Sequence, residues 1–181
     1  MRKVIISDKE LSTEASEIMF RSFNKTIIVN NDIVNKNNIS GTIRSSRNKV
    51  LSAIVDESGD AFEFSPMSPE HTMIRSVLIK NGFFDNVDER ILNKYPTEAG
   101  EISGECAGKY VEAEIVKYFR KCIRAQRSLS ELVNILKDEP FGLRDGYIPL
   151  LVANVLTKYQ NVGIYFHGAE KDGETDTFSQ P

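Results

Sequence analysis

The apolar positions of residues 128–159, SLSELVNILKDEPFGLRDGYIPLLVANVLTKY, fall into two blocks with different rhythms. Leu129, Leu132, Val133 and Leu136 recur at helical spacing, and Ser128 with Glu131 forms a capping-box pair at the start. Pro140 cannot continue that helix, and Gly142 and Gly146 tolerate backbone angles that other residues avoid, so DEPFGLRDG predicts a tight corner. Pro149 suits the first turn of a second helix, in which Leu150, Leu151, Val152, Val155 and Leu156 cover most of the girth. NVG then predicts a turn, IYFHG is β-rich, and KDGE is a hairpin signal.

Upstream, Leu11, Ala15, Ile18, Met19 and Phe23 predict a helix over residues 8–23, capped by Asp8 or Ser12. The Asn-rich run that follows predicts turns, with a short helix near residues 32–35. Ser40 opens the clearest early helix, with Ile43, Val50, Leu51, Ile54 and Val55 as its apolar face. Ser68, Pro69 and Glu70 predict another start, running to Asn81 and stopping at Gly82. A short helix is expected over residues 85–95, and a longer one over 106–126 on Val111, Ile115, Phe119, Cys122 and Ile123. The expected fold is mainly α: a helical region over residues 1–100, then over 101–181 a winged-helix module, a helix-turn-helix plus β-hairpin. Its last residues, GAEKDGETDTFSQP, stop as a second strand begins, which predicts a truncated module within a longer chain.

Composition changes little in this picture. Hydrophobic residues are 40% and charged residues 27%, an ordinary globular balance. A net charge of −3 supplies no global field for nucleic acid, so any such contact must come from a local patch. Cys106 and Cys122 have no metal-ligand spacing to His71 or His167 and read as thiols of a reducing cytoplasm. No leader and no membrane span are expected.

Candidate chemistry is sparse. GECAGKY fails as a phosphate loop, because three residues separate Gly104 from Gly108 and Tyr110 follows Lys109. Lys117, Arg120, Lys121, Arg124 and Arg127 fall along one side of the 106–126 helix and its end, opposite Phe119 and Ile123. That stripe is the candidate nucleic-acid contact, its affinity expected to be salt-sensitive and nonspecific. The second helix of the corner offers only Asn154, Thr157 and Lys158, with Arg144 before it, too few for base readout. Tyr147, Tyr159, Tyr165 and Phe166 read as core. An enzyme site would have to use His71 with Asp85, Asp88 and Glu89, but those acids more simply mark a helix N-terminus. No catalytic residue, cofactor or metal ligand is assigned, and the segment is not expected to be an enzyme.

The run EPFGLRDGYIPLLVANVL, with VGIYFHG after it, resembles a winged-helix segment near the C-terminal end of large bacterial P-loop ATPases. Some of these belong to phage-defence systems of the BREX and phage-growth-limitation kind. TIIVNNDIVNKNNIS, RNKVLSAI and SPEHTMIRSVL extend the likeness over residues 25–168. It implies a non-catalytic accessory region whose partners are the rest of a larger chain or other proteins, with an exposed apolar docking patch. No catalytic residue carries over, since the chain has neither a phosphate loop nor a magnesium-binding acidic strand. The alternative is a stand-alone winged-helix DNA-binding regulator.

Overall fold

Residues 7–56, 62–83 and 107–158 are described by the computed structural model, and their regular structure is helical throughout. Helix α1 spans Asp8–Ser22, α2 Gly41–Val55, α3 Pro69–Met73, α4 Ala107–Cys122, α5 Leu129–Lys137 and α6 Ile148–Lys158. A π-helical segment, Ile74–Ile79, continues α3 without a break.

The starts follow the cap chemistry. Ser40 Oγ accepts from Ile43 N, Ser68 Oγ from His71 N, and Ser128 Oγ from Ser130 N, each taking an amide that lacks a helical partner. Pro69 occupies the first turn of α3, and the helical run ends at Gly82, at φ 71°. Ser7, rather than Asp8 or Ser12, caps α1. The capping box expected at Ser128 is not formed: the Ser128 hydroxyl takes the Ser130 amide rather than that of Glu131, and Glu131 sends its carboxylate to Arg127, 2.6 Å away.

One core draws on both sides of residue 101. Val50 and Ile54 of α2, Met73, Val77 and Leu78 of the α3–π run, Val111 and Ile115 of α4, Leu132 and Leu136 of α5, and Leu150, Leu151 and Val155 of α6 are all buried in it. Helix α6 packs most extensively on α2 and also touches α4 and the π segment, while α5 packs on α4. An extended stretch closes the core beside them, with Ile27 and Val29 inward and Ile28 outward. Asn81 holds it as a neighbouring strand would: its Oδ1 accepts from Ile28 N at 3.2 Å and its Nδ2 donates to Ile28 O at 3.1 Å. The same Nδ2 lies 3.1 Å from the Ser76 and Val77 carbonyls, closing the end of the π segment. Asn31 Nδ2 donates to Ser76 Oγ at 2.9 Å, which in turn donates to Thr72 O.

The Pro–Gly corner between α5 and α6 is where the N-terminal part is fastened. Gly142, at φ 62°, lies against the Phe23 ring, and Gly146 N donates to Lys36 O at 2.8 Å. A side chain on Gly146 would run into the Val34 carbonyl. Arg47 Nη1 reaches the Asp145 and Gly146 carbonyls, at 3.3 and 3.4 Å. The Glu139–Pro140 peptide is cis.

Several expectations are corrected. The winged-helix fold is not found: among the described residues there is no β-strand, and α6 is the central helix of the core, not the outer helix of a helix-turn-helix. The stretch read as a hairpin, residues 162–176, lies outside the described residues, as do Tyr159, Tyr165, Phe166 and the expected 85–95 helix. The expected 32–35 helix is one hydrogen-bonded turn, with Val34 N and Asn35 N both bonded to Asn31 O. Helix α4 ends at Cys122, and Arg124 N closes a turn onto Lys121 O. Ile123, expected on its apolar face, is therefore 81% exposed.

Candidate functional site

Helix α1 has fifteen residues and none of them is buried. Its local chemistry favours a helix. Ser7 caps it, Asp8 and Glu10 sit in the first turn and Arg21 in the last, matching the helix dipole, and Arg21 pairs with Glu17 at 3.2 Å. Leu11, Ala15, Ile18 and Met19, at i, i+4, i+7 and i+8, make one apolar stripe. In a helix of the core such a stripe is covered. Here Leu11 is 54% and Ile18 55% exposed, and Phe20, on another face, is 78% exposed. The foot of the helix is tied to the corner between α5 and α6: Phe23 packs on Gly142, and Lys25 N donates to Pro140 O at 3.1 Å.

Glu10, Glu14 and Glu17 run along one side of α1, and Arg21 continues the same line, paired with Glu17. Lys25 Nζ stands 5.7 Å from the centroid of Tyr110, which brings the foot of α1 close to the start of α4.

The basic stripe lies on α4 and the turn after it. Lys117, Arg120 and Lys121 share the helix; Arg124 and Arg127 fall beyond its end at Cys122. Lys117 pairs with Glu114 at 3.0 Å and Arg127 with Glu131. Arg120, Lys121 and Arg124 are exposed and make no ion pair among the described residues. Along the same face runs an open groove of about 410 Å³, lined by Lys109, Glu112, Ala113, Val116, Lys117, Arg120 and Lys121. The polar positions of α6 are unavailable for DNA reading. Asn154 is buried, Thr157 Oγ1 bonds Asn154 O, and Lys158 Nζ is held by Phe83 O and Glu112 at 3.0 and 3.1 Å. Helix α6 therefore offers no free polar side chain to base edges.

Glu70 is buried beside Lys49, 3.4 Å away. Burial raises its carboxyl, but its own backbone amide, the Ser46 hydroxyl and the Lys49 ammonium outweigh that and hold it below the usual carboxylate range. His71 is pushed below the ordinary imidazole value by burial, then by Arg75. Asp85, Asp88 and Glu89 lie outside the described residues, and among the described residues no cluster of His, Cys, Asp and Glu could hold a metal ion. No helix among them is long and apolar enough to cross a membrane.

Comparison with protein-family models finds no match, and neither does comparison with the curated proteins or with the solved structures. The resemblance to the C-terminal region of P-loop ATPases is thereby corrected. The residues that carried it have local reasons to be where they are: Pro140 ends α5, Gly142 clears Phe23, Gly146 clears Val34, and the leucines of α6 fill the core.

The sequence pattern located the α1 stripe but not its exposure. Phe20 is the signal that was available, since a large aromatic residue opposite an apolar stripe is out of place on a helix that buries one face.

Proposed function

We propose that this chain is a protein-interaction module and that α1 is its docking helix. The observation that carries the reading is a fifteen-residue helix with a continuous apolar stripe and no buried residue. An isolated helix of this length is marginal in water, and most helices in proteins gain their stability by packing an apolar face. A helix anchored at its foot through Phe23 and Lys25 gains it when a partner covers Leu11, Ile18 and Met19. Amphipathic helices recognised in this way present anchors at i, i+4 and i+7 to an apolar groove. Four acidic residues against Lys9 and Arg21 on α1 favour a protein groove over a lipid surface, whose anionic headgroups select Lys and Arg.

The test is a photo-crosslinking residue placed at Ala15, within the stripe, or at Thr13, on the opposite face, in the full chain in its native cells. A discrete protein adduct at position 15 and none at 13 is the expected result. Equal labelling at both positions, or no discrete adduct at 15, overturns the reading.

A further inference from the structure

We infer that the turn between α4 and α5 is a contact for an anionic lipid surface: Arg120, Lys121 and Arg124 meet the headgroups, and Ile123 enters the layer beneath them. The inference is independent of the docking role of α1.

Two features of one turn carry it. The first is charge. Residues 115–130 include no Asp or Glu, and five cations fall between 117 and 127 in a chain whose net charge is −3. Lys117 and Arg127 have carboxylate partners, but Arg120, Lys121 and Arg124 are exposed and make no ion pair among the described residues. The dipole of α4 favours Arg120 and Lys121 in its last turn. It gives no reason for Ile123, the second feature. Because α4 stops at Cys122 and Arg124 N closes onto Lys121 O, Ile123 leaves the apolar face and stands 81% exposed between Lys121 and Arg124 in the chain. A lone exposed isoleucine is ordinary on a protein surface. Set among unpaired cations it suits an anionic bilayer, where long basic side chains reach the headgroups while an apolar one sinks to the acyl boundary. A nucleic acid would use the cations and leave the isoleucine in water, and the aromatic residues nearest the turn, Tyr118 and Phe119, are buried and cannot stack on bases. Helix α1 exposes more apolar surface, but its acidic residues outnumber its cations, so the lipid contact falls on the turn.

The chain contains no tryptophan, so Ile123→Trp in the full chain places a single fluorescent reporter at the site. With vesicles of phosphatidylcholine carrying about 30% phosphatidylserine, its emission is expected to shift to the blue and to be quenched by lipid brominated on the acyl chain. Pure phosphatidylcholine vesicles should produce neither change. The wild type should sediment with the same anionic vesicles, and raised salt should release it. Arg120→Glu, Lys121→Glu and Arg124→Glu together should weaken that binding about a hundredfold or more, and Ile123→Asp should weaken it about tenfold. Circular dichroism checks that every variant stays helical, and all four altered side chains are exposed. A wild type that stays in solution beside anionic vesicles, a triple reversal that sediments as well as the wild type, or a reporter at position 123 that brominated lipid does not quench would each overturn the inference. A chain that retards a single-stranded or duplex oligonucleotide in a gel but ignores the vesicles assigns these cations to nucleic acid and ends the lipid reading.

Discussion

Helices α1 and α6 both carry apolar residues at helical spacing and use them in opposite ways. In α6, six of eleven residues are buried: Ile148, Leu150, Leu151, Val152, Asn154 and Val155. In α1, none of fifteen is. The difference lies in what surrounds each stripe. Helix α6 is apolar over most of its girth, and α2, α4 and the π segment cover it on several sides. Helix α1 is polar over most of its circumference and holds itself together with a cap, a matched dipole and an ion pair. The first is helical because the core requires it, and the second because local chemistry permits it.

The largest expected effect breaks that symmetry directly. Leu151→Ala should cost about 2–5 kcal/mol of unfolding free energy, the range for emptying a fully packed leucine site. Ile18→Ala should stay within about 0.5 kcal/mol at concentrations where the chain is not associated, as surface substitutions do. Urea denaturation of the two variants checks the contrast. A loss at Ile18 approaching that at Leu151 would mean that α1 is part of the core after all.

Next is Gly142, the point where the foot of α1 meets the corner. Gly142→Ala must place a Cβ at φ 62° and against the Phe23 ring, and about 1–3 kcal/mol is expected for the two together. In a Phe23→Ala background the ring contact is gone, and the cost should fall to the backbone share of about 1 kcal/mol. A double-mutant cycle reads the difference as coupling. Coupling near zero would mean that the ring is not what excludes the side chain.

These two helices also mark how far the sequence could be read. Ser40, Ser68 and Ser128 could be named as caps because a cap depends on the few residues around it. The burial of Leu151, Val152 and Val155 could be expected because a helix apolar on nearly all sides has nowhere else to go. The stripe of α1 was visible at the right residues, but periodicity records that a face is apolar and not what lies opposite it. The winged helix failed for the same reason. Two helices and a Pro–Gly corner are common to many folds, and the choice of α2 as the neighbour of α6 is made by contacts about a hundred residues apart along the chain, such as Arg47 Nη1 to Asp145 O. The basic stripe was drawn on a helix extended past its end; once α4 stops at Cys122, Arg124 and Arg127 no longer share its face.

A smaller effect is expected at Glu70, whose partner Lys49 projects from α2. The folded carboxyl titrates below the unfolded one, so its contribution is fully present above the unfolded value of about 4.3. It is lost progressively as pH falls from there through the folded value. Stability against urea, followed from neutral pH downward, should therefore drop over that acid range by less in Glu70→Gln than in the wild type. Equal acid slopes would remove Glu70 from the balance.

The smallest expected effect is at Asn154, the one polar residue among the buried positions of α6. Its Oδ1 is buried and accepts no hydrogen bond among the described residues. A carbonyl in that position has given up water without gaining a donor, so the native residue carries a desolvation cost that an apolar side chain of similar size does not. Asn154→Leu should therefore leave the urea midpoint unchanged or raise stability by up to about 1 kcal/mol. Asn154→Asp should lower it clearly, because it puts an unpaired charge in the same place. If Leu destabilises the chain as much as Asp does, the site has no room for the bulkier methyl groups, and the tightness of α6 against its neighbours, rather than the polarity of Asn154, decides what this position accepts.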